Sequence, residues 1–348
     1  MSRKLATIKK IEGIEEIPTS DFLCSYVIGG WRVVDKIGKY VIGELVIMVE
    51  IDSWVPHALA PFLTEEGKEP KVYNNVPGQR LRTKKLRGVI SQGLILDTSV
   101  LDHVESELME GLDVSAPLGI QKWEPPAEFL AANAKGVFPA FIPKTDQERI
   151  QNIKRSFEDY QRNGNSFEVT EKLHGSSMTV YINEGQIGVC SRNLDLKEDE
   201  GNTFWGTAKS SGAIALFTLK QLGGIELPDM ALQGELCGPG INGNQYGLSD
   251  FQFFIFDIFV ISEQRYMLPQ ERIRTIRKIN ELYGLNLKHV PILGYFQIDP
   301  AISMQDFLKT AEGKSLINAS NREGLVFKSE TSDASFKVIS NSWLLKNE

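Results

Sequence analysis

Five short segments in the C-terminal part of the chain combine reactive, charged and aromatic side chains in a fixed order. They are Glu171–Gly175, Ser191–Asn193, Gly234–Gly240, Phe253–Ile258 and a final pair, Arg322–Lys328 with Ser335–Ser340. In the first, Lys172 ends a β-type run and is followed closely by glycine and two serines, so its amine is a candidate nucleophile. A lysine at a strand end is more often a solvated charge, and no single segment decides between the two interpretations.

The other segments also have ordinary structural interpretations. Phe256 lies in an apolar strand pattern that is typical of a core, and Asp257 alternates to the opposite face of that strand. Glu235 follows a glycine and is compatible with a simple loop carboxylate. The carboxylate of Glu323, at a turn before a strand that ends in Lys328, is a less common arrangement. The complete set in this order is what favours a functional site.

In this order the segments resemble the covalent nucleotidyltransferase superfamily of polynucleotide ligases and capping enzymes. They are most similar to the ATP-dependent RNA ligases whose nucleophile motif reads Lys-x-His-Gly or Lys-x-Asn-Gly. The N-terminal β-rich region narrows the resemblance to RNA ligases of the Deinococcus and Naegleria type, which carry an OB domain ahead of the catalytic domain. Val34–Pro56 and Leu86–Leu94 resemble that OB domain, so the likeness covers essentially the whole chain.

The chemistry of sealing explains why these residue types are needed. A 5′-phosphate that is to be joined to a 3′-hydroxyl needs a leaving group, and AMP transferred onto it supplies one. A lysine amine can hold that AMP as a phosphoramidate, which divides one difficult step into easier ones, and Lys172 is the predicted nucleophile. Its reference pKa of about 10.4 leaves it protonated at neutral pH, so nearby cations must favour the free amine. Lys337, Arg192 and Mg²⁺ are the candidates.

The resemblance implies a role for each further site residue. Lys337 contacts the α-phosphate, Arg192 contacts the ribose or a phosphate, Glu235 binds the ribose, and Phe256 stacks on adenine. Asp257 and Glu323 lie around Mg²⁺ (or Mn²⁺) or its waters, with His174 as a further candidate. Lys172, Lys337 and Glu323 form the predicted catalytic set. The predicted nucleotide-binding set comprises Glu171, His174, Arg192, Glu235, Phe256, Arg149, Gln151 and Lys328.

The chain departs from the family pattern at two of these positions. Many ligases have aspartate where His174 stands, and a neutral imidazole there could hydrogen-bond a phosphate or water instead of contacting the metal. Many relatives also show Lys-x-Lys in the last motif, whereas Ile339 occupies the second position here. Lys337 therefore acts alone or with help from Lys328 or Lys346. Little chain follows Lys337, so we expect no C-terminal OB domain of the kind found in DNA ligases and capping enzymes.

The elements that must position these residues are predicted to form two domains. From Lys4 to about Asp97, short apolar runs separated by glycines predict strands, and a small closed barrel such as the OB fold, or a generic β-sandwich, would accommodate them. Five prolines within residues 117–145 indicate a linker. We predict an OB domain over residues 1–120, a linker over 121–145 and a nucleotidyltransferase domain over 146–348.

The predicted fold class is therefore α+β, an OB-type β-barrel followed by a two-sheet nucleotidyltransferase domain of the ATP-grasp-like ligase type. Apolar residues at three- and four-residue steps from Ile150 to Tyr160 predict a helix with Thr145 or Asp146 as N-cap and Gly164 as its stop. Further helices are predicted over Ala213–Leu222 and Gln270–Leu282.

A basic segment lies inside the N-terminal β region. Its five cations within nine positions are Arg80, Arg82, Lys84, Lys85 and Arg87. Alternation at positions 80, 82 and 84 would place three of them on one face of a single strand, where they could follow a phosphate backbone. The structural alternative is a solvated edge strand whose charges resist aggregation.

Composition excludes several other classes of protein. The 38 Lys and Arg residues against 45 Asp and Glu residues give a net charge of −7, which excludes a globally cationic nucleic-acid binder but not a local basic stripe. Three dispersed cysteines and four dispersed histidines indicate neither a disulfide framework nor a zinc site. The chain shows no secretory signal and no membrane-spanning run, so an intracellular location, cytoplasmic or nuclear, is expected.

The leading hypothesis is an ATP-dependent RNA ligase that seals 3′-hydroxyl and 5′-phosphate ends. It would use ATP with Mg²⁺ or Mn²⁺ and act on RNA or an RNA/DNA hybrid with nicks, a typical task in RNA repair, with no membrane or protein partner implied. One alternative is a GTP-dependent capping-type guanylyltransferase, which the expected absence of a C-terminal OB domain disfavours. The other is a non-catalytic RNA-binding protein, which the complete set of Lys172, Glu235, Glu323 and Lys337 disfavours.

Overall fold

The computed structural model of this chain describes residues 3–101, 108–124 and 133–347. These residues divide into two compact units, one within Met1–Pro126, Ile150–Phe157 and Asn341–Glu348, the other within Ala127–Arg149 and Glu158–Ser340. The domain bounds expected from the sequence, 1–120, 121–145 and 146–348, stay a prediction. Residues 125–132 of the predicted linker lie outside the described residues.

The first unit is rich in short antiparallel strands. They are β1 (Ala6–Lys10), β2 (Gly13–Glu16), β3 (Leu23–Ile28), β4 (Trp31–Lys36), β5 (Leu45–Val49), β6 (Ser53–Pro56), β7 (Lys71–Tyr73), β8 (Val76–Arg80), β9 (Lys84–Leu86), β10 (Val89–Ser91), β11 (Leu94–Leu96) and β12 (Gln121–Lys122). They pair in the orders β1-β5-β11, β2-β3-β4, β12-β6-β8-β7 and β10-β9. The continuously apolar β5 is buried along nearly its whole length, and Ile47 and Val49 contribute to the core of this unit.

The second unit contains two larger sheets. Its strands are β13 (Ala134–Val137), β14 (Glu148–Arg149), β15 (Ser166–Lys172), β16 (Ser176–Asn183), β17 (Gln186–Cys190), β18 (Leu194–Leu196), β19 (Met230–Cys237), β20 (Gln252–Val260), β21 (Arg265–Tyr266), β22 (Lys288–His289), β23 (Ile292–Gln297), β24 (Gly324–Ser329) and β25 (Ser335–Ile339). One sheet has eight strands, in the order β13-β18-β17-β16-β19-β20-β21 with β22 beside β20, and the other has the order β14-β25-β24-β15-β23. The prediction of a two-sheet α+β domain is confirmed.

The helices of the described chain are short. They are α1 (Lys154–Asn163), α2 (Thr203–Ser210), α3 (Ala213–Gln221), α4 (Pro269–Tyr283), α5 (Met304–Lys309) and α6 (Asn341–Asn347). At the start of helix α2, the Asn202 side chain accepts hydrogen bonds from the backbone amides of Phe204 and Trp205. These bonds satisfy two of the amide donors that have no partner within the first turn of a helix. Helices α2, α3 and α4 pack apolar side chains against one face of the eight-stranded sheet.

The helices predicted over Ala213–Leu222 and Gln270–Leu282 are confirmed within a residue or two at each end. The predicted start of the preceding helix at Thr145 or Asp146 is wrong, since α1 begins at Lys154. The reason is that β14 pairs in parallel with β25, and an extended backbone at residues 148 and 149 cannot belong to a helix. Gly164 follows the end of this helix with φ of 60°, as predicted.

Among the described residues, no helix combines the length and the apolar character needed to cross a membrane.

Candidate active site

Lys172 lies at the end of β15, where the sheet brings a carboxylate directly to its amine. The antiparallel register places Lys172 opposite Gly324 on β24, so the residue before that glycine reaches the lysine. Lys172 Nζ lies 2.6 Å from Glu323 Oε1, and the lysine side chain remains 27% exposed. The opposite oxygen, Glu323 Oε2, lies 3.5 Å from His174 Nδ1. Three predicted residues therefore meet around one carboxylate.

The charges of this cluster shift the pKa values of its members. Burial disfavours the ammonium form of Lys172, but the carboxylates of Glu323 and Glu235 outweigh it and raise the pKa of the lysine, against a smaller opposing effect of Arg149. Burial acts to raise the pKa of Glu323, yet Lys172 and His174 hold it below its ordinary value. Burial raises the pKa of Glu235 to about 7. The raised pKa favours the protonated form of Lys172 at neutral pH, so the predicted role as a nucleophile would require it to lose a proton first.

The turn after Lys172 is held by hydrogen bonds to its backbone. The amide of Gly175 donates to Glu235 Oε1 at 2.9 Å, and the amide of His174 donates to the hydroxyl of Tyr246 at 2.7 Å. Asn242 Nδ2 donates to the carbonyl oxygen of Gly175 at 2.6 Å. Sequence reasoning missed Tyr246 and Asn242. The one signal was the Asn-Gly-Asn run at 242–244, where all three residues have positive φ.

Gly175→Ala is expected to slow covalent modification of Lys172 by roughly 10²-fold, because misplacing a reacting group by about 1 Å can cost that much. A Cβ at this position would lie 2.3 Å from the Leu236 carbonyl oxygen and 2.8 Å from Cys237 Sγ, so the turn after Lys172 must move. The measurement is the single-turnover rate of label transfer from a nucleotide to the protein.

The matched control for that variant is Gly206→Ala. Gly206 lies within α2, and a Cβ there would meet no atom outside the helix within 4 Å, so the rate should stay at the wild-type value. Wild-type kinetics in Gly175→Ala would contradict the argument that close packing positions this turn.

A second group of charged residues lies around Lys328 at the end of β24. Lys328 Nζ lies 2.5 Å from Asp257 Oδ1, donates to the carbonyl oxygen of Phe256 at 2.7 Å and lies 5.4 Å from the centre of the Phe256 ring. Burial lowers the pKa of Lys328 to about 8, although Asp257 opposes the shift. Lys328, Asp257 and Phe256 are therefore in direct contact, as a shared site requires.

Buried Arg272 supports this group from α4. It pairs with Glu168 and lies 3.6 Å from Asp257 Oδ1, and its Nε donates to His289 Nε2 at 2.9 Å. Burial lowers the pKa of His289 to about 3, and the positive charge of Arg272 contributes the next largest effect. This imidazole is therefore neutral. Arg272 could not be identified from the sequence, because an arginine on a helix is usually solvated.

A third group forms around Asp146, which was not predicted as a site residue. Asp146 Oδ2 lies 2.9 Å from Arg192 Nη2, and Asp146 Oδ1 lies 3.7 Å from Lys337 Nζ. The parallel pairing of β14 with β25 places Arg149 opposite Lys337. The two cations predicted to contact the nucleotide phosphates thus share one carboxylate, and a third cation lies on the neighbouring strand.

The remaining predicted nucleotide-binding residues are Glu171 and Gln151. Glu171 is buried and accepts the amide of Leu316 at 2.7 Å, while burial raises its pKa despite a hydrogen bond from Ser315. Gln151 belongs to the first unit, where its carbonyl oxygen accepts the amide of Gly30 at 3.2 Å. The nucleotide-binding roles of both residues stay predictions.

The carboxylates near Lys172 fit a hydrated divalent cation. Mg²⁺ prefers oxygen ligands, keeps several waters and is commonly held through them, and Glu323 and Glu235 both act on the amine of Lys172. Within the described parts of the chain, no three His, Cys, Asp or Glu side chains form a group that could hold a metal ion. Asp257 is engaged by Lys328 and Arg272, and its metal-binding role stays a prediction.

The basic segment of the first unit is arranged differently from the single strand that was predicted. That prediction is wrong, because β8 ends at Arg80 and β9 begins at Lys84. Arg80 pairs with Asp52 at 2.6 Å and lies over the Trp123 ring at 3.9 Å from its centre. The other four cations, Arg82, Lys84, Lys85 and Arg87, are exposed.

Comparison with known proteins adds the following matches. Residues 165–339 match the family model RNA ligase, and residues 5–98 match an OB-fold domain model. A structure of a Naegleria gruberi RNA ligase mutant without ligand is 38% identical, with a TM-score of 0.90 and coverage of 99% of both chains. Mutants of the same enzyme with AMP and Mn and with ATP and Mn are each 39% identical, cover 99% of both chains and have TM-scores of 0.90 and 0.89. No curated protein matches the chain at a significant level.

Proposed function

Because this chain belongs to the RNA ligase family, we propose that it uses ATP to join the 3′-hydroxyl and 5′-phosphate ends of RNA, at nicks, through a covalent intermediate on Lys172. The observation that carries the proposal is the meeting of Lys172, Glu323 and His174 at the end of β15. Glu235 acts on the same amine and holds the turn that follows it.

The first step forms the bond between lysine and AMP. The free amine of Lys172 attacks the α-phosphorus of ATP, a nitrogen–phosphorus bond forms, the bond to the bridging oxygen breaks, pyrophosphate leaves, and the nitrogen releases one proton to solvent. The ammonium group of Lys172 must first lose a proton to become this free amine. The pKa of Lys172 is raised chiefly by Glu323 and Glu235, against the effect of burial, so cationic groups brought in with the nucleotide would favour the free amine.

The next two steps transfer AMP and join the ends. An oxygen of the RNA 5′-phosphate attacks the α-phosphorus, the nitrogen–phosphorus bond breaks, and Lys172 regains its proton. The 3′-hydroxyl then attacks the 5′-phosphorus, loses its proton and displaces AMP. The balance is one ATP consumed, one phosphodiester bond formed, and AMP and pyrophosphate released.

Positive groups would stabilise the negative charge that develops on the phosphate during these displacements. Lys337 and Arg192 lie near the two different oxygens of the Asp146 carboxylate, and an anionic phosphate that takes its place would meet both cations. A bound Mg²⁺ or Mn²⁺, as in the Naegleria structures with Mn, would supply further positive charge at the phosphates. Glu323 and Glu235 would hold its waters, and His174 would hydrogen-bond one of them.

The base and the sugar would be bound by neighbouring residues. Phe256 is partly exposed and offers an aromatic face, with Lys328 fixed beside it by Asp257. In the proposed arrangement of the bound nucleotide, the adenine lies against Phe256 and the ribose lies at Glu235. The location within the cell and the choice between nicked RNA and RNA/DNA hybrids stay predictions.

The test of this proposal is incubation with ATP or GTP labelled at the α-phosphate, together with Mg²⁺ or Mn²⁺. We expect label from ATP to remain on the protein through denaturation and to be released by acid, as a phosphoramidate is. The labelled protein should then seal a nicked RNA duplex without further ATP. Label from GTP alone would favour a capping-type enzyme, and no label from either nucleotide would contradict both enzymatic interpretations.

Charge reversal at Arg82 and Lys84 is expected to weaken sealing without blocking modification of Lys172. These exposed cations lie outside the unit that holds Lys172, and cations that contact phosphates contribute most of the salt-dependent affinity for nucleic acid. At a limiting RNA concentration we expect the rate of sealing to fall by roughly tenfold. In a plot of the logarithm of the RNA-binding constant against the logarithm of the salt concentration, the slope should be smaller in magnitude by about two.

The matched control is charge reversal at Arg277 and Lys278, which are exposed on α4 of the second unit. Sealing by that double variant should match the wild type. Equal loss of sealing and of lysine modification in the Arg82 and Lys84 variant would contradict a role in holding RNA.

A further inference from the structure

A small cleft continues along the sheet face that carries Glu235. The antiparallel register of β16 and β19 places Ser177 opposite Glu235 and Thr179 opposite Gln233. Because side chains alternate between the two faces of a strand, these four residues share one face. Met178, between Ser177 and Thr179, and Leu232, next to Gln233, belong to the core under the helices on the opposite face.

Gln233 is a buried acceptor without a partner in this cleft. Its side chain is 1% exposed, and its Nε2 donates to the carbonyl oxygen of Pro143 at 2.9 Å. Its Oε1 has no hydrogen-bond partner among the described residues. A buried amide oxygen without a donor is costly and calls for explanation. The amide orientation follows from the bond to Pro143, because a carbonyl oxygen can accept only from the nitrogen end.

The cleft limits what kind of donor could satisfy this oxygen. Besides the side chains of Ser177, Thr179 and Gln233, it is lined by Lys144, Asp146 and Arg192, and about 20 Å³ of it is open to a water-sized group. The donors of that size are a water molecule and a single hydroxyl. Arg192 and Lys144 beside the cleft would favour a hydroxyl attached to a phosphorylated molecule.

The distance from Glu235 indicates which molecule could supply the hydroxyl. Gln233 lies two residues from Glu235 along β19, a separation of about 6.6 Å at about 3.3 Å per residue. A nucleotide bound with its sugar near Glu235, or a second nucleotide beside it, would carry a ribose hydroxyl into this range. A lone phosphate has no such group, and a base has no hydroxyl.

We propose that Gln233 is a specificity-determining residue that accepts a hydrogen bond from a ribose 2′-hydroxyl, with Thr179 and Ser177 lining the same contact. The inference rests on the proposed ligase function, and the hydroxyl belongs either to ATP or to the RNA end that is being joined. The orphaned oxygen then selects ribose over deoxyribose, because a deoxynucleotide would leave it unpaired.

The experiment compares ribose with 2′-deoxyribose in three places, for the wild type and for Gln233→Met. The first arm measures protein labelling from ATP and from 2′-deoxy-ATP. The second and third arms measure sealing of nicked duplexes with a single 2′-deoxynucleotide at the 3′-hydroxyl end or at the 5′-phosphate end. We expect the wild type to discriminate by roughly tenfold in one arm, the range of a single buried hydrogen bond, and Gln233→Met to discriminate by less than about twofold there.

Two further variants separate this role from a structural one. Gln221→Met removes a glutamine whose Nε2 likewise donates to a backbone oxygen, that of Gly185 at 2.8 Å, and it should keep wild-type discrimination. Gln233→Asn withdraws the acceptor by one carbon while keeping an amide, and it should also lose discrimination. It serves as the test if Gln233→Met does not fold, as judged by thermal melting.

The arm in which discrimination collapses identifies the source of the hydroxyl. Discrimination that is absent from the wild type in all three arms, or unchanged by the Gln233 variants, would overturn the inference while leaving the ligase function in place. A wild type that neither takes label nor seals all-ribose RNA would instead overturn the proposed function, and this inference with it.

Discussion

Lys172→Ala is expected to take up no label from α-labelled ATP, a loss of at least about 10⁴-fold in the rate of the first step, since removing a nucleophile leaves only background chemistry. Alanine supplies no amine at the end of β15, where Lys172 Nζ lies 2.6 Å from Glu323 Oε1. The measurement is acid-labile label on the denatured protein. Label that persists in the variant would reject the assignment of the nucleophile.

The same variant should retain the last step of the reaction. Joining an RNA end that already carries AMP needs no lysine nucleophile, so we expect Lys172→Ala to seal such a substrate at a measurable rate. Lys172→Arg keeps the positive charge beside Glu323 but is no nucleophile, and it should also remain unlabelled. Lys209→Ala removes an exposed lysine paired with Glu198 and should label like the wild type. Loss of label in that control would show that the assay reports general damage.

Glu323→Gln is expected to lower the labelling rate by roughly 10²- to 10³-fold, the range found when one preorganised electrostatic group is removed from a site. The carboxylate lies within reach of both Lys172 and His174, so its loss removes the group that orients the amine and would hold metal-bound water. Glu281→Gln changes an exposed carboxylate on α4 and should have no effect. A full rate in Glu323→Gln would contradict the proposed role.

The Glu323→Gln substitution is also expected to shift the pH dependence of the labelling rate in a definite direction. Glu323 and Glu235 raise the pKa of Lys172 although burial opposes them, so the wild-type rate should increase with pH through the neutral range, by up to about tenfold per unit while the amine is mostly protonated. Removing the Glu323 charge lets the pKa of Lys172 fall. The rising limb should therefore move to lower pH although the maximum rate is smaller. A limb that moves to higher pH would contradict the sign of this coupling.

The residues proposed to carry the chemistry could be selected from the sequence because they occur in short ordered segments. The structure brings Lys172, His174 and Glu323 together across two neighbouring strands, although about 150 residues separate the outer two. Lys328 and Asp257, which are also far apart in the sequence, meet between the two sheets. The matches to the RNA ligase family and to an OB-fold domain agree with the predicted architecture. That architecture could be predicted because strand periodicity and glycine turns are local properties of the sequence.

The supporting residues were not accessible in this way. Tyr246, Asn242 and Arg272 act through contacts with distant backbone or charged groups, and no local pattern distinguishes them from a core tyrosine, a loop asparagine or a solvated helix arginine. Asp146 was predicted as a possible helix cap and instead pairs with Arg192. The difference arises because the residues that follow Asp146 form β14, which pairs in parallel with β25, and no helix begins there.

The sequence by itself determined the reactive groups, their order and the two kinds of domain, because side-chain chemistry and the period of a strand or helix are local properties. Only the tertiary structure decided the charge state of Lys172 and the separation of Arg80 from the exposed cations of the basic segment. It also decided the burial of Gln233 with an orphaned oxygen. These properties depend on distance and burial between residues far apart in the chain, and electrostatic interactions change strongly with both.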